Sequence, residues 1–237
     1  IMGQILTAGQ GQNTARQAAV EAKIPFEKTA LQINQLCGSG LRSVAMGMQS
    51  IALGETRIVI AGGQENMSLA PHCAQMRNGQ KMGSIEFVDT MLKDGLWDHF
   101  NGYHMGVTAE NVAQKWQISR DQQDEFAYES QKKTKVALEA NRFKDEIVPV
   151  EIKTRQGDLV VDTDEHPKPD TSLEDLKKLR PAFSKDGTVT AGSASGINDG
   201  AAAMVLMRAE DCEKRGMAPM ARIVSWASAG VDPAVMG

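Results

Sequence analysis

Asn34-Gln35-Leu36-Cys37-Gly38-Ser39-Gly40 is the stretch whose reading decides the fold. It closes a short apolar run, Thr29 to Leu36, and opens a segment with helical periodicity from Leu41 to Leu53. A cysteine at such a strand-to-helix turn lies beside unpaired backbone N–H groups and the positive end of a helix dipole. Both favour the thiolate, which is the reactive species. Glycines at 38 and 40 leave the sulfur open to a substrate and let backbone approach it closely. Taken alone, a free cysteine packs as a small hydrophobe more often than it reacts. The Gly-Ser-Gly frame makes Cys37 a candidate nucleophile.

Outward from this turn, the first block alternates in type. An opening strand reaches Leu6, a Gly/Gln/Asn loop covers Ala8 to Asn13, and a helix is expected from Thr14 to Ala22. The strand into Cys37 and the helix to Leu53 follow, then a β-rich run, Arg57 to Ala61, that breaks at Gly62-Gly63. Strand–helix alternation with short glycine turns predicts a layered α/β architecture with largely parallel strands. The helix after Cys37 is apolar on most faces (Leu41, Val44, Met46, Met48, Ile51, Leu53), which predicts a central, buried element.

From Met67 to about Gly196 the character changes, with more charge and no periodic βα pattern. Ser119 followed by Gln122 is a capping-box signature for a long, charged helix running past Phe126 to Leu138. Ile147 to Ile152 and Leu159 to Val161 predict strands of a small sheet. The segment His166 to Asp170 reads as a loop, and Ser172 with Asp175 caps a short helix. The block reads as a large insertion. Ala201 to Met207 returns to the earlier strand style, and Arg222 to Ala227 is expected to begin a further strand.

The bulk properties exclude several classes. The chain has 237 residues, 41% of them hydrophobic, enough to bury a substantial core. A formal net charge of −4, with no basic run interleaved with aromatics, argues against a nucleic-acid surface. No apolar stretch approaches membrane-spanning length, and no signal peptide opens the sequence. Cys37, Cys73 and Cys212 are scattered and lack metal-ligand spacing, which suits a reducing, cytoplasmic compartment and neither zinc nor a disulfide framework. Both ends lie inside apolar segments, so the sequence is expected to be an excerpt of a longer polypeptide.

Other segments carry weaker signals. Gly9 to Asn13 lacks the ending and spacing of a phosphate loop and reads as a structural turn. Gly102-Tyr103-His104-Met105-Gly106 sets one of four histidines between glycines, where it could line a cleft. Ala191 to Gly200 is dense in small residues, so a thin ligand could pass against its backbone with Ser195 as a hydrogen-bonding group.

Together, in order, Asn34 to Ser43, Ala61 to Ser68, Gly102 to Asn111, Leu179 to Phe183 and Ala191 to Ala203 resemble the thiolase family, and within it the biosynthetic acetyl-CoA acetyltransferase branch. The resemblance covers essentially the whole chain. It implies an α/β, thiolase-like layered α-β-α-β-α fold, present in part, with a large α+β loop-domain insertion. Residues 1–66, completed by 197–213, would form part of an N-terminal half. Residues 67–196 would form the loop domain that binds coenzyme A, and 214–237 would begin a second half.

The implied chemistry condenses two acetyl-CoA to acetoacetyl-CoA and coenzyme A, reversibly, through an acetyl-Cys37 intermediate. The Cys37 N–H would help hold the thioester oxyanion. Leu96, His104, Met105, Phe183, Ala191 and Ser195 would line the pantetheine and acyl channel. The His-Met-Gly form resembles the short-chain enzymes. Coenzyme A thioesters would be substrates, so no cofactor or metal is implied, and the Cys73 to Met91 region matches a loop used in assembling homotetramers. Lys168 stands where the family has an arginine near the adenine end, without that residue's bidentate fork. The family's Asn-Glu-Ala-Phe, Gly-His-Pro and Cys-Gly-Gly-Gly segments, which supply an asparagine, an activating histidine and a second cysteine, do not occur in these residues. Residues 1–237 alone are therefore expected to turn over little. A degradative 3-ketoacyl-CoA thiolase and a non-catalytic acyl-CoA-binding module on the same fold are the alternatives.

Overall fold

A computed structural model describes residues 1–236. In chain order its elements are β1 (Met2–Gly3), α1 (Thr14–Glu21), β2 (Gln32–Ile33), α2 (Ser39–Ala52), β3 (Ile58–Asn66), β4 (His72–Cys73) and β5 (Val88–Asp89). A π-helical turn, Met91–Leu96, precedes β6 (Trp97–Asp98), β7 (Tyr103–His104), α3 (Met105–Lys115) and α4 (Arg120–Glu139). Then come β8 (Val150–Thr154), β9 (Gly157–Val161), α5 (Leu173–Lys177), β10 (Asp199–Met207), α6 (Ala209–Lys214) and a 3-10 turn at Pro233–Val235.

The chain forms two compact units. One comprises Ile1–Trp97 with Ile197–Gly230, the other Asp98–Gly196 with the segment from Val231 onward. Residues 67–97, whose composition reads as the start of the insertion, thus lie in the first unit.

The first unit is built on a four-stranded sheet of order β10-β3-β1-β2. β1 pairs in parallel with both β2 and β3, whereas β10 runs antiparallel to β3 over nine residue pairs, from Asp199↔Asn66 to Met207↔Ile58. The sheet is therefore mixed. β3 does not break at its glycines but runs through them. A Cβ at Gly62 would strike the Ala202 carbonyl, so the missing side chain permits close approach of two strand backbones.

α2 lies on this sheet, but one-sidedly. Its buried face is Ser39, Ser43, Ala45, Gly47 and Ile51, while Leu41 and Leu53 are exposed. Within these residues α2 buries one face and not every face, and apart from Ile51 that face is made of small residues. At Gly47 a Cβ would come within 2.9 Å of Leu206 and 3.0 Å of Val59, so the strand side chains supply the bulk. α2 ends where Gly54 (φ 78°) enters the left-handed region and Glu55 N–H reaches back to the Ser50 carbonyl. Arg222 to Ala227 is not a strand; no ladder partner faces it among the described residues, and a strand without one leaves its backbone groups unpaired.

In the second unit α4 starts with the capping box read from the sequence. Ser119 Oγ accepts from Gln122 N–H at 3.2 Å and Gln122 Oε1 accepts from Ser119 N–H at 2.8 Å. Ser172 caps α5 by accepting from Asp175 N–H at 3.2 Å, without the reciprocal backbone bond. β8 and β9 form a hairpin, Val150↔Val161 to Thr154↔Gly157. The core of this unit holds Ala113, Ala127, Leu176 and Val189. Asp124 is also fully buried, and its Oδ2 accepts from Arg120 Nε at 2.8 Å. Arg120 Nη2 donates in turn to the carbonyls of Leu176 and Leu179, tying α5 to α4.

Candidate functional site

Cys37 sits, exposed, in the turn between β2 and α2. The turn is locked by its own side chains. Asn34 Oδ1 accepts from Leu36 N–H at 2.9 Å, and Ser39 Oγ accepts from Gln35 N–H at 2.8 Å while donating to the Leu36 carbonyl at 2.6 Å. Leu36 is held at φ 49°, a left-handed conformation that costs a branched residue of order 1 kcal/mol or more and that clusters at functional sites. Gly38 stands at the N-cap of α2 with no side-chain cap; Ser39 N–H donates to the Leu36 carbonyl at 3.0 Å, while the Gly40 and Leu41 N–H groups have no hydrogen-bond partner among the described residues. A carbonyl held against Cys37 would meet that end of the helix, where a developing negative charge is favoured.

The sheet explains how this helix end is placed. Gly3 of β1 and Gly63 of β3 are register partners. A Cβ at Gly3 would lie 2.5 Å from Ser39 C and 2.7 Å from Gly40 N, and one at Gly63 would lie 3.5 Å from Gly40 Cα. The paired glycines thus form a bare bed into which the start of α2 sinks. Ser43 Oγ, fully buried, pins the helix there by contacts of 2.7 Å with the carbonyls of both Gly40 and Gly62. Neighbouring polar groups are equally committed: Glu65 accepts from the N–H groups of Ile5 and Leu6 at 2.9 and 3.0 Å.

Leu96, half-buried, closes the π-helical turn of the same unit. The remaining candidates belong to the second unit. His104 is the N-cap of α3: its Nδ1 accepts from Gly106 N–H at 2.9 Å, which leaves Nε2 to carry the proton of the neutral ring. Partial burial holds its pKa below the ordinary histidine value. Phe183 stacks on the imidazole, ring centroids 4.9 Å apart and planes 16° from parallel. Gly106 is required beneath it, because a Cβ there would overlap the Phe183 ring. The Gly-Tyr-His-Met-Gly motif therefore encodes, in one imidazole, a cap that accepts from the helix and, in Gly106, a floor for an aromatic ring. Met105 is half-buried beside it.

The structure brings His104, Gly106 and Phe183 into contact. Ala191 and Ser195 are exposed on the segment after Thr190, a turn held by Thr190 N–H to Ser193 Oγ at 3.0 Å and Gly192 N–H to Thr190 Oγ1 at 3.1 Å. Lys168 is exposed, with its backbone N–H on Gln131 Oε1 at 2.9 Å. Sequence reasoning passed over Asn34 and Ser39 as turn locks and Gly3 as the helix bed. Asn at the entry of a turn was a usable signal for the first; nothing in a lone strand glycine announces the third. Among the described residues no group of three or more His, Cys, Asp or Glu is placed to hold a metal, and no helix is long and apolar enough to cross a membrane.

Comparison with known proteins gives these features a family. The profile of the thiolase N-terminal domain matches residues 1–210. Acetyl-CoA acetyltransferases of Rhizobium meliloti (strain 1021) and Shinella zoogloeoides are 61% and 60% identical over all 237 residues, each covered to 60% of its own length. The crystal structure of the Bacillus anthracis acetyl-CoA acetyltransferase superposes with a TM-score of 0.95 at 41% identity, covering 99% of this chain and 60% of that one. The chain spans about 60% of the length of the curated relatives it matches. A cysteine turn bedded on paired strand glycines, and a match along most of the sequence, lead to one conclusion: the chain belongs to the thiolase family.

Proposed function

We propose that this chain carries the acyl-accepting part of an acetyl-CoA C-acetyltransferase. The Cys37 thiolate attacks the acetyl thioester carbonyl, the tetrahedral oxyanion collapses, and the coenzyme A thiolate leaves and takes up a proton. A base then removes a proton from the α-carbon of a second acetyl-CoA, that carbon attacks the carbonyl of acetyl-Cys37, and the Cys37 thiolate leaves, giving acetoacetyl-CoA. The observation that carries the reading is the exposed Cys37 at the uncapped start of α2, set by a turn in which Leu36 adopts a left-handed backbone. The names borne by the relatives agree with it.

Leu96, His104, Met105, Phe183, Ala191 and Ser195 line the pantetheine and acyl channel in this reading, with His104 neutral and able to donate from Nε2. Coenzyme A thioesters are substrates, and the reaction needs no cofactor. A cytoplasmic location fits three free cysteines, and a homo-oligomer belongs to the same reading. Because the segments assigned to the activating histidine and second cysteine are not among these residues, residues 1–237 alone are expected to run about 10²–10⁴-fold slower for each missing group.

The test is trapping of the intermediate. The complete polypeptide is mixed with acetyl-CoA labelled in the acetyl group, quenched in acid and digested. Label on the peptide containing Cys37, lost in Cys37→Ala together with thiolysis of acetoacetyl-CoA, supports the proposal. Full activity in Cys37→Ala would overturn it in favour of a non-catalytic acyl-CoA-binding module. A preference for long-chain 3-ketoacyl-CoA would replace the biosynthetic assignment with a degradative one.

A further inference from the structure

Phe183 projects from a loop that doubles back on itself. Pro181 and Thr190 form an antiparallel bridge, and Ala182 N–H donates to the Val189 carbonyl at 2.9 Å. The returning limb of this loop is gripped by one carboxylate. Glu110 of α3 accepts from Thr188 N–H on both oxygens at 2.9 Å, from Val189 N–H at 2.8 Å and from the Thr188 hydroxyl at 2.9 Å. Gly187 makes room for it, since a Cβ there would run into Glu110 Oε1. Gln123 of α4 donates to the same Thr188 hydroxyl at 2.8 Å, so two helices hold one loop residue.

Such a concentration of acceptor contacts on one side chain is more than loop closure requires. Two consecutive backbone N–H groups plus a hydroxyl form a small anion-binding concavity, and charge-assisted bonds of this kind are the strong ones. The consequence lies at the other end of the same loop. Val189, bound through its N–H by Glu110, binds Ala182 through its carbonyl, and Ala182 precedes Phe183. Glu110 stands six residues beyond His104 on α3, about 9 Å along the axis. One helix therefore carries the imidazole at its start and the anchor of the loop whose aromatic ring covers that imidazole.

We propose that Glu110 is the positioning residue for the Phe183–His104 pair, setting through Val189 and Ala182 where the Phe183 ring lies over His104. The consequence for thioester binding rests on the acyl-transfer reading; the positioning itself does not.

The experiment is an NMR titration of the His104 ring in the complete polypeptide, in the parent, Glu110→Gln, Phe183→Leu and the double variant. Gln keeps the size but turns one acceptor into a donor that opposes the loop N–H groups. Removing a negative charge would by itself lower an imidazole pKa. A rise in the His104 pKa toward about 6.5 in Glu110→Gln therefore reports lost cover by Phe183. Phe183→Leu is expected to give a similar rise, and the double variant no further one, the signature of two residues acting through one arrangement. Acetyl-CoA KM is expected to rise about tenfold in Glu110→Gln with kcat within about twofold, because a binding surface and not the nucleophile is disturbed. Should Glu110→Gln fail to fold, Thr188→Val removes the hydroxyl with its contacts to Glu110 and Gln123, keeps the loop N–H bonds to Glu110, and is expected to shift His104 in the same direction by less. An unchanged or lowered His104 pKa in a folded variant, or additive shifts in the double variant, would overturn the proposal. Since the titration needs no turnover, a chain that shows the shift yet transfers no acetyl group would refute the acyl-transfer reading alone.

Discussion

Replacing Gly3 by alanine tests whether the strand glycines place the nucleophile. The added Cβ would lie 2.5 Å from Ser39 C, 2.6 Å from Ser39 Cβ and 2.7 Å from Gly40 N. Non-bonded carbons prefer about 3.5–4.0 Å, so the start of α2 must lift by roughly 1 Å. The obstacle is mainly backbone, which cannot rotate away, and β1 is held on both sides by β2 and β3. Overpacking costs about 1–3 kcal/mol, and a backbone obstacle places Gly3→Ala near the top of that range. For a chain of this size about 3 kcal/mol corresponds to a fall in Tm of about 6–12 °C. Gly40→Ala is the control, because nothing lies within 4 Å of its Cβ and alanine is the better helix former. It is expected to gain about 0.5–1 kcal/mol. Urea unfolding followed by far-UV circular dichroism measures both. Thiol labelling in a Cys73→Ser background, where Cys37 is the exposed thiol, then reports whether the turn has moved. The reasoning is refuted if Gly3→Ala unfolds at the parental urea concentration, or if Gly40→Ala is the more damaging of the two.

Three further outcomes are expected. Arg120→Ala strips Asp124, fully buried, of its charged partner and frees the Leu176 and Leu179 carbonyls; a loss of about 3–5 kcal/mol in urea unfolding is expected, and a loss below about 1 kcal/mol would show that the pair is dispensable. Ser119→Ala removes the hydroxyl half of the capping box and should cost about 1 kcal/mol by the same assay, against a negligible change if α4 is held by packing alone. His104 has a lowered folded pKa, so the stability tied to its neutral form is fully present above about pH 6.5 and is lost as pH falls through the folded value. His104→Asn, which can still cap α3 but does not titrate, should flatten that part of the pH profile; an unchanged slope would place the titration elsewhere.

The distribution of what was readable follows the range of the forces involved. The capping box at Ser119 and the N-cap at Ser172 are local: donor and acceptor are three residues apart, so sequence and structure coincide. The strand at Ala201 to Met207 and the hairpin strands are likewise set by side-chain type over a few residues; the structure extends β10 by two residues at its start, begins β9 at Gly157, and moves the strand expected at Ile147 to Ile152 to Val150–Thr154. The failures are long-range. Gly62-Gly63 reads as a break from composition, yet the ladder to β10 carries the strand through, because glycine there serves the neighbour and not the turn. Leu41 and Leu53 read as core from hydropathy but are exposed among these residues, and the surface of α2 against the sheet is, apart from Ile51, made of small residues. Arg222 to Ala227 has strand propensity and no ladder partner among the described residues. Propensity alone does not make a strand.

For the candidate site the same division holds. The one-dimensional pattern singled out Cys37 and His104, because a nucleophile in a glycine turn and a motif between glycines are properties of neighbouring residues, whereas Phe183 came from the resemblance to the thiolase family. It assigned no role to Gly3, 36 residues before Ser39, or to Glu110, 78 residues before Thr188. By itself the sequence determined the family, the helix starts, the turn that presents Cys37 and the chemical types gathered around it. Only the tertiary structure decided how deeply α2 sinks into its sheet and which carboxylate anchors the loop over His104. Those are set by excluded volume and hydrogen bonds between backbones distant in the chain, and neither leaves a periodic or local trace in the order of residues.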